Sequence, residues 1–529
     1  MDHTRRAVVQ LIAIGLVVMA ASSELLGQEQ IWKSFGDHAN QELGRAVDVL
    51  GDLTGDGVSE IVTGTYVDST AATNAGMVRV LSGASGATVY SIYGVNAGDL
   101  FGYSVAALGD VDGDGATDFA VGAPFVTNTV FRQGVVTAYS GNSGNPIYSV
   151  YGVSTDTLGL AVAAVGDVSG DGVSDFVVGS GVNYALVLSG VDGSLIWTLT
   201  SPSPPVLFGR ALGGGGDIDG DGVPDIVVGD SNSSYGVRNG GAVSVFSGAT
   251  GALLYEFGST RNDAAFGFAV TIPGDANNDS YADILIGAPH DDRVVADGGY
   301  AALYSGKDGS LLMSFEPSDG NGSTHSPLDW WLGFSLHGVG DTNDDGVLDL
   351  LIGAPVFVDG AVGGSALVFS GRDGGMIYHF QDLSNLASLG FGTAVSPVGD
   401  LDSDGLADFI ISRPNESNGA NFDVGSVSAW KGHKFFVDAR ARVVYGGETV
   451  TITPGQGIAG NPYALFLRDV NGTPTFSLLS LGVLDATGRA VIGASVPFGL
   501  GANSLKMQAF TIDGNGKLLA SGVETFLTQ

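Results

Sequence analysis

Asp110, Asp112, Asp114 and Asp118 crowd four carboxylates into nine residues, at positions 1, 3, 5 and 9 of a loop inside the stretch GDVDGDGATDFAVGAP. Two unit charges about 4 Å apart repel by roughly 4 kcal/mol at an effective dielectric of about 20, so a bare cluster opposes folding. A hard divalent cation removes that objection. Calcium takes six to eight oxygens, accepts carboxylates and backbone carbonyls, and tolerates the irregular geometry of a loop. Gly115 at position 6 permits the sharp turn, and the carbonyl of Ala116 at position 7 would complete the shell. An EF-hand would carry a glutamate at position 12 and a flanking helix on each side; position 12 is Val121, inside a run that reads as a strand.

The pattern recurs seven times. The other six loops present Asp52, Thr54, Asp56, Val58 and Glu60; Asp167, Ser169, Asp171, Val173 and Asp175; Asp217, Asp219, Asp221, Val223 and Asp225; Asp275, Asn277, Asp279, Tyr281 and Asp283; Asp341, Asn343, Asp345, Val347 and Asp349; and Asp400, Asp402, Asp404, Leu406 and Asp408. Position 7 offers its backbone carbonyl in each, and every substitution at the other positions keeps an oxygen. The expected cofactor is therefore calcium, up to seven ions, in a structural role. The Ser169 loop lacks a carboxylate at position 3 and the Asp275 loop has Ser280 in place of the turn glycine, so both are expected to bind more weakly.

The elements that must position these loops follow from the spacing. The loops begin at 52, 110, 167, 217, 275, 341 and 400, and each is flanked by the same parts. In the second unit, a strand is expected over 101–105, then the loop, then strands over 119–121, 135–139 and 147–151, with Ser-Gly-Asn-Ser-Gly at 140–144 as a hairpin turn. Four antiparallel strands make a blade, and a period of this size implies a radial or solenoid repeat architecture.

The composite motif resembles the FG-GAP repeat of integrin alpha chains and of related bacterial secreted proteins. Phe-Gly stands at 101–102, 208–209, 266–267 and 391–392, with Leu-Gly at 43–44, 158–159 and 332–333; Gly-Ala-Pro is intact at 122–124, 287–289 and 353–355. The resemblance covers about 31–430 and implies a seven-bladed β-propeller with calcium between the first and second strands of each blade. A ring of blades leaves exposed edges unless its ends join. The seventh unit lacks its fourth strand, and Ile31 to Phe35 matches the missing piece, so this segment is expected to close blade seven.

Composition agrees with a folded, turn-rich chain: 44% of the 529 residues are apolar, and the 85 glycines follow no collagen-like triplet. The net charge of −35 excludes a basic nucleic-acid surface, and 24 of the 56 acidic residues lie at the loop positions named above. The absence of cysteine excludes disulfides, zinc-thiolate sites and thiol nucleophiles. Arg5 and Arg6 precede an apolar run over 7–21 and small residues at 20–23, the layout of an export signal; the run is shorter than the roughly 20 residues a spanning helix needs. The expected order is a signal peptide over 1–27, a propeller over 28–432, and a C-terminal β-sandwich over 433–529 in which the period stops. The mature chain is expected to carry no membrane span and to be secreted, at the cell surface or in the periplasm.

In a four-stranded blade the loops joining strands one to two and three to four share one face. The two-to-three loops and the blade connections share the other. Calcium is therefore expected opposite the variable loops, and the integrin resemblance implies that the variable face recognises ligands. Trp330 and Trp331 beside His325 offer a surface for a sugar ring or a protein partner, although Trp331 also suits the blade core; Tyr235, Arg238, His290 and Arg293 are further candidates. No histidine lies in a triad or metal-protease motif, and most clustered carboxylates already have a cation role. The expected function is a secreted, non-catalytic binding or adhesion module for a protein or glycan. The alternative is a carbohydrate-active enzyme, a polysaccharide lyase or hydrolase, with its site on the variable-loop face.

Overall fold

The computed structural model describes residues 29–432, apart from 154, 203–206, 295, 317–330, 344, 357–362, 383–388 and 420, and beyond 432 the strands only. The expected signal peptide therefore lies outside the described residues. Among those described, no helix is long and apolar enough to cross a membrane.

Seven four-stranded antiparallel sheets follow one another along the chain. Blade two consists of Ser104–Gly109, Asp118–Ala123, Val135–Tyr139 and Pro146–Tyr151. The first strands of consecutive blades lie side by side, and Val395–Gly399 of blade seven returns to Ala46–Val49 of blade one, so the sheets form a closed ring. The architecture is all-β: a seven-bladed propeller followed by a small C-terminal β-sandwich, whose two sheets have three and four strands.

Blades stack face to face, so both sides of the middle strands are buried and their sequences read as apolar runs. In Asp225–Asp230 of blade four, Ile226 and Val228 enter the core shared with blade three, whereas Val227 enters the core shared with blade five. Every junction has its own apolar layer of this kind, including that between blades seven and one.

The Phe-Gly element corrects one expectation. Phe101 and Gly102 do not begin the first strand, which starts at Ser104. Phe101 instead plugs the layer between blades one and two, and its backbone bridges to Gly76 of the preceding blade. Gly102 has φ +81°, and a Cβ there would lie 2.5 Å from the carbonyl oxygen of Met77, so the chain turns at a point only glycine fits. Leu43, Leu158 and Leu332 occupy the same layers at other junctions.

The ring closes as expected. Gln30–Phe35 pairs antiparallel with Ser426–Trp430 and supplies the outer strand of blade seven. Lys33 on this strand meets two buried carboxylates, Asp382 and Glu416, the latter at 2.9 Å, and Arg413 approaches Asp382 at 3.2 Å. Two cations against two anions hold the closing strand to blade seven and to the segment that follows blade six.

Candidate metal centres and recognition face

The acidic loops hold their shape through backbone N–H groups that converge on the carboxylates. In blade two, Asp110 Oδ1 accepts from Gly113 N at 2.7 Å and Asp114 N at 3.1 Å, and Oδ2 accepts from Gly115 N at 2.9 Å. Asp114 accepts from Ala116 N at 2.9 Å. The equivalent backbone donors, Gly57 foremost for Asp52 and Gly172 for Asp167, hold those two carboxyls below the usual range.

Position 9 does more than offer a ligand. Asp118 is fully buried at the start of the second strand. Its Oδ2 accepts from Val111 N at 2.8 Å and Asp112 N at 3.1 Å, and its Oδ1 accepts from Gly141 N in the strand-three-to-four hairpin at 2.9 Å. Equivalent bonds join Asp175 to Gly190, Asp225 to Gly248, Asp283 to Gly306, Asp349 to Gly371 and Asp408 to Gly432. This carboxylate therefore fastens loop, strand and hairpin together. Burial pushes Asp225, Asp283, Asp349 and Asp408 up to about 6 despite these donors, so the loops are short of positive charge.

A cation fits that shortage. Oxygens of Asp52, Asp56 and Glu60, of Asp110, Asp112 and Asp118, of Asp217, Asp219 and Asp225, and of Asp400, Asp402 and Asp404 come within 4.8 Å of one another, close enough to share one ion. The loops at Asp167, Asp275 and Asp341 carry Ser169, Asn277 or Asn343 at position 3 and do not bring three carboxylates this close among the described residues. In the Asp275 loop, Asn278 and Ser280 hold left-handed φ values of 60° and 75° that glycine adopts more readily. Blade seven has a different departure. Lys431, where the other hairpins have serine, pairs its ammonium with Asp402 inside the acidic cluster.

The opposite face gathers the variable loops. Of the residues proposed there, His290 meets Trp331, Arg293 lies three residues further along the His290 loop, Arg238 pairs with Asp263 in the neighbouring connection, Tyr235 stands apart against Gly258, and His325 and Trp330 lie outside the described residues. Trp331 is not in the blade core. It is half-buried, 4.7 Å from the His290 ring and stacked 6.1 Å from Phe334, which in turn lies 4.7 Å from Phe268. The neighbouring Leu332 takes the core position.

Beside this aromatic group runs a chain of charge. Asp291 accepts from Arg293 Nε at 2.9 Å and Nη2 at 3.0 Å, and Arg261 approaches it at 3.7 Å. The Arg293 guanidinium lies 3.1 Å from the Tyr300 ring centroid. Arg238 pairs with Asp263 two residues beyond Arg261, which links the loops of blades four and five. His290 Nδ1 stands 3.2 Å from Asp297. The sequence reading missed Arg261, Asp291, Phe268 and Phe334. Only the last two carried a signal, each following a Phe-Gly or Leu-Gly pair.

The model of the FG-GAP repeat matches residues 101–143, 208–246 and 391–430, which are blades two, four and seven up to their third strands. The chain carries FG-GAP repeats. Integrin alpha-5 of Xenopus laevis is 28% identical over 285 residues, 50% of this chain and 25% of that protein. Integrin alpha-V of Gallus gallus is 30% identical over 161 residues, 29% and 14% of the two chains. Integrin alpha-PS2 of Drosophila melanogaster is 38% identical over 107 residues, 18% and 8%. The chain thus spans a quarter or less of these relatives and is similar to them as an integrin alpha-like β-propeller. Among solved structures, the "Crystal structure of BBS1N in complex with ARL6DN, soaked with lead" overlays 78% of this chain and 98% of that chain, with TM-score 0.48 and 11% identity. The count of seven blades rests on the chain's own strand pairing and not on this overlay.

Proposed function

We propose that the protein is an exported, calcium-stabilised binding module that recognises a protein or a glycan, as in adhesion, through its variable-loop face. The observation that carries the reading is a division of labour between the two ends of the ring. One end repeats the same acidic loop seven times, which suits architecture. The other sets the half-buried rings of His290, Trp331 and Phe334 beside Arg293 and its carboxylate partner Asp291.

Calcium would be held by the carboxylates at positions 1, 3, 5 and 9 and the position 7 carbonyl, and would supply the positive charge that the buried position 9 groups lack. Family likeness supports this role, because three stretches of the chain match the FG-GAP repeat and integrin alpha-5 of Xenopus laevis is 28% identical over 285 residues. Export is supported by the leader-like residues 1–27.

An array of glycans and extracellular proteins, probed with the full calcium-loaded chain, tests the reading. The expected result is saturable binding without turnover that falls at least tenfold in a His290→Ala, Arg293→Ala double variant. Release of a shortened or unsaturated sugar product would overturn it in favour of a carbohydrate-active enzyme.

A further inference from the structure

The residue after each Phe-Gly or Leu-Gly glycine stands at the loop-face end of an inner strand, where the seven strands surround the axis. These residues are Arg45, Tyr103, Leu160, Arg210, Phe268, Phe334 and Thr393. On one side of this mouth the ring is apolar, with Phe268 packed on Phe334. On the other it is cationic and phenolic.

Arg210 of blade four donates from Nη2 to the hydroxyl of Tyr103 in blade two at 3.3 Å, passing over blade three. Tyr103 lies 4.9 Å from Tyr66 with the rings tilted by 34°, and the Arg45 guanidinium sits 5.8 Å from the centroid of Tyr66. Burial raises the Tyr66 hydroxyl above its usual range, and the charges of Arg45 and Arg210 work against that rise.

The two arginines are not equivalent. Arg45 is neutralised by Glu42, with Nε to Oε2 at 2.7 Å. Arg210 is exposed and, among the described residues, has no carboxylate within 4 Å. Arg79, Arg238, Arg261, Arg293, Arg372 and Arg413 each have one. Arg132, the other exception among the described residues, is covered by the rings of Phe125 and Phe131. In a chain with a net charge of −35, a guanidinium left without an internal anion at the axis is set to receive one from outside.

We propose that this mouth binds a hexuronate residue of an acidic glycan, with its carboxylate on Arg210 and its pyranose ring on Tyr66 and Tyr103. The Tyr103 hydroxyl engages one N–H of Arg210 and leaves the remaining donors of the fork for a bidentate carboxylate. The two phenol rings, half-buried and tilted against each other, offer aromatic surface to the C–H face of a pyranose. A hexuronate carries both groups in one residue, whereas an acidic peptide side chain brings a carboxylate without a ring. The inference rests on the loop face being the recognition surface, and names the ligand class for it.

Calorimetric titration of the full calcium-loaded chain with a galacturonate trimer, a galactose trimer and a triglutamate peptide tests it. The uronate is expected to bind, to weaken with added salt, and to exceed the neutral sugar by at least about tenfold. Arg210→Gln should remove that preference at an unchanged melting temperature, Arg210→Lys should restore part of it, and Arg132→Gln should leave it intact. Equal binding of the uronate and galactose, tighter binding of triglutamate, or an indifferent Arg210→Gln would overturn the inference. If the array detects a ligand lost in the His290, Arg293 double variant while the uronate fails to bind, the general reading stands and this one does not.

Discussion

The indole N–H of Trp32 donates to the backbone carbonyl of Gly83 at 2.6 Å, from the closing strand of blade seven to the hairpin of blade one. Three other junctions use the same bond. Tyr90 reaches Gly141 at 2.6 Å, Tyr148 reaches Gly190 at 2.6 Å and Trp197 reaches Gly248 at 2.9 Å. Each ring also lies over a second hairpin glycine, and a Cβ on Gly86 would come within 2.5 Å of the Trp32 ring. The N-terminal strand therefore makes the same junction contact as fourth strands elsewhere in the ring.

Trp32→Ala should destabilise the protein by about 3–5 kcal/mol in chemical denaturation, and Trp197→Ala by a similar amount. Tyr148→Phe, which keeps the ring, should cost only about 1 kcal/mol. A Trp32→Ala protein as stable as the parent would show that the closing strand is dispensable.

Asp114 and Asp118 should separate ligation from fastening. Asp118→Ala leaves the buried amides of Val111 and Gly141 unpaired and should cost at least about 2 kcal/mol even in chelator. Asp114 is exposed, so Asp114→Ala should stay within about 0.5 kcal/mol of the parent in chelator and lose stability only relative to calcium-loaded protein. Equal losses in chelator would remove the distinction.

Calcium withdrawal should lower the melting temperature reversibly, since a site held at 100 times its dissociation constant contributes about 2.7 kcal/mol. The sites should differ. Asp171→Ala should remove a weaker site than Asp114→Ala does, and Lys431→Ser should tighten blade seven by freeing Asp402 from its internal ammonium. Calorimetry in which Lys431→Ser leaves every site unchanged would refute the competition.

His379 supplies a pH dependence of known sign. Burial lowers it to about 4, and its ring nitrogen lies 2.9 Å from the Ser365 hydroxyl. The unfolded chain takes up this proton near pH 6.5 and the folded one only near 4, so the contribution is complete above 6.5 and is lost as pH falls to 4. Allowing for partial exposure, it amounts to about 2 kcal/mol. His379→Gln should flatten the stability profile between these limits, and an unchanged slope would exclude the residue.

Much of the ring was legible because its chemistry repeats. Asp, Gly and Ser-Gly recur at fixed offsets, and the segment around Trp32 could be matched to the fourth strand near Tyr255. The start of the first strand was misplaced because Phe101 to Val105 alternates like a strand, while the backbone at Gly102 turns. The junction bond was not anticipated either, although an aromatic residue recurs at Trp32, Tyr90, Tyr148, Trp197, Tyr255 and Tyr378. Its partner is a backbone carbonyl, which leaves no mark of its own in a sequence. The meeting of Arg210 with Tyr103, 107 residues apart, depends on the curvature of the whole ring.

The ion cluster around Lys33 also sets an order of events in time. Lys33 and Glu416 are separated by 383 residues, so the lock forms between the part of the ring made first and the part made last. Earlier blades can form from local hairpins, but the final docking must close a loop of almost the entire repeat region, a slow step of high contact order. Until then one blade edge and one unpaired strand remain exposed to other chains, which makes the nearly finished ring the species most prone to pair with a second copy of itself.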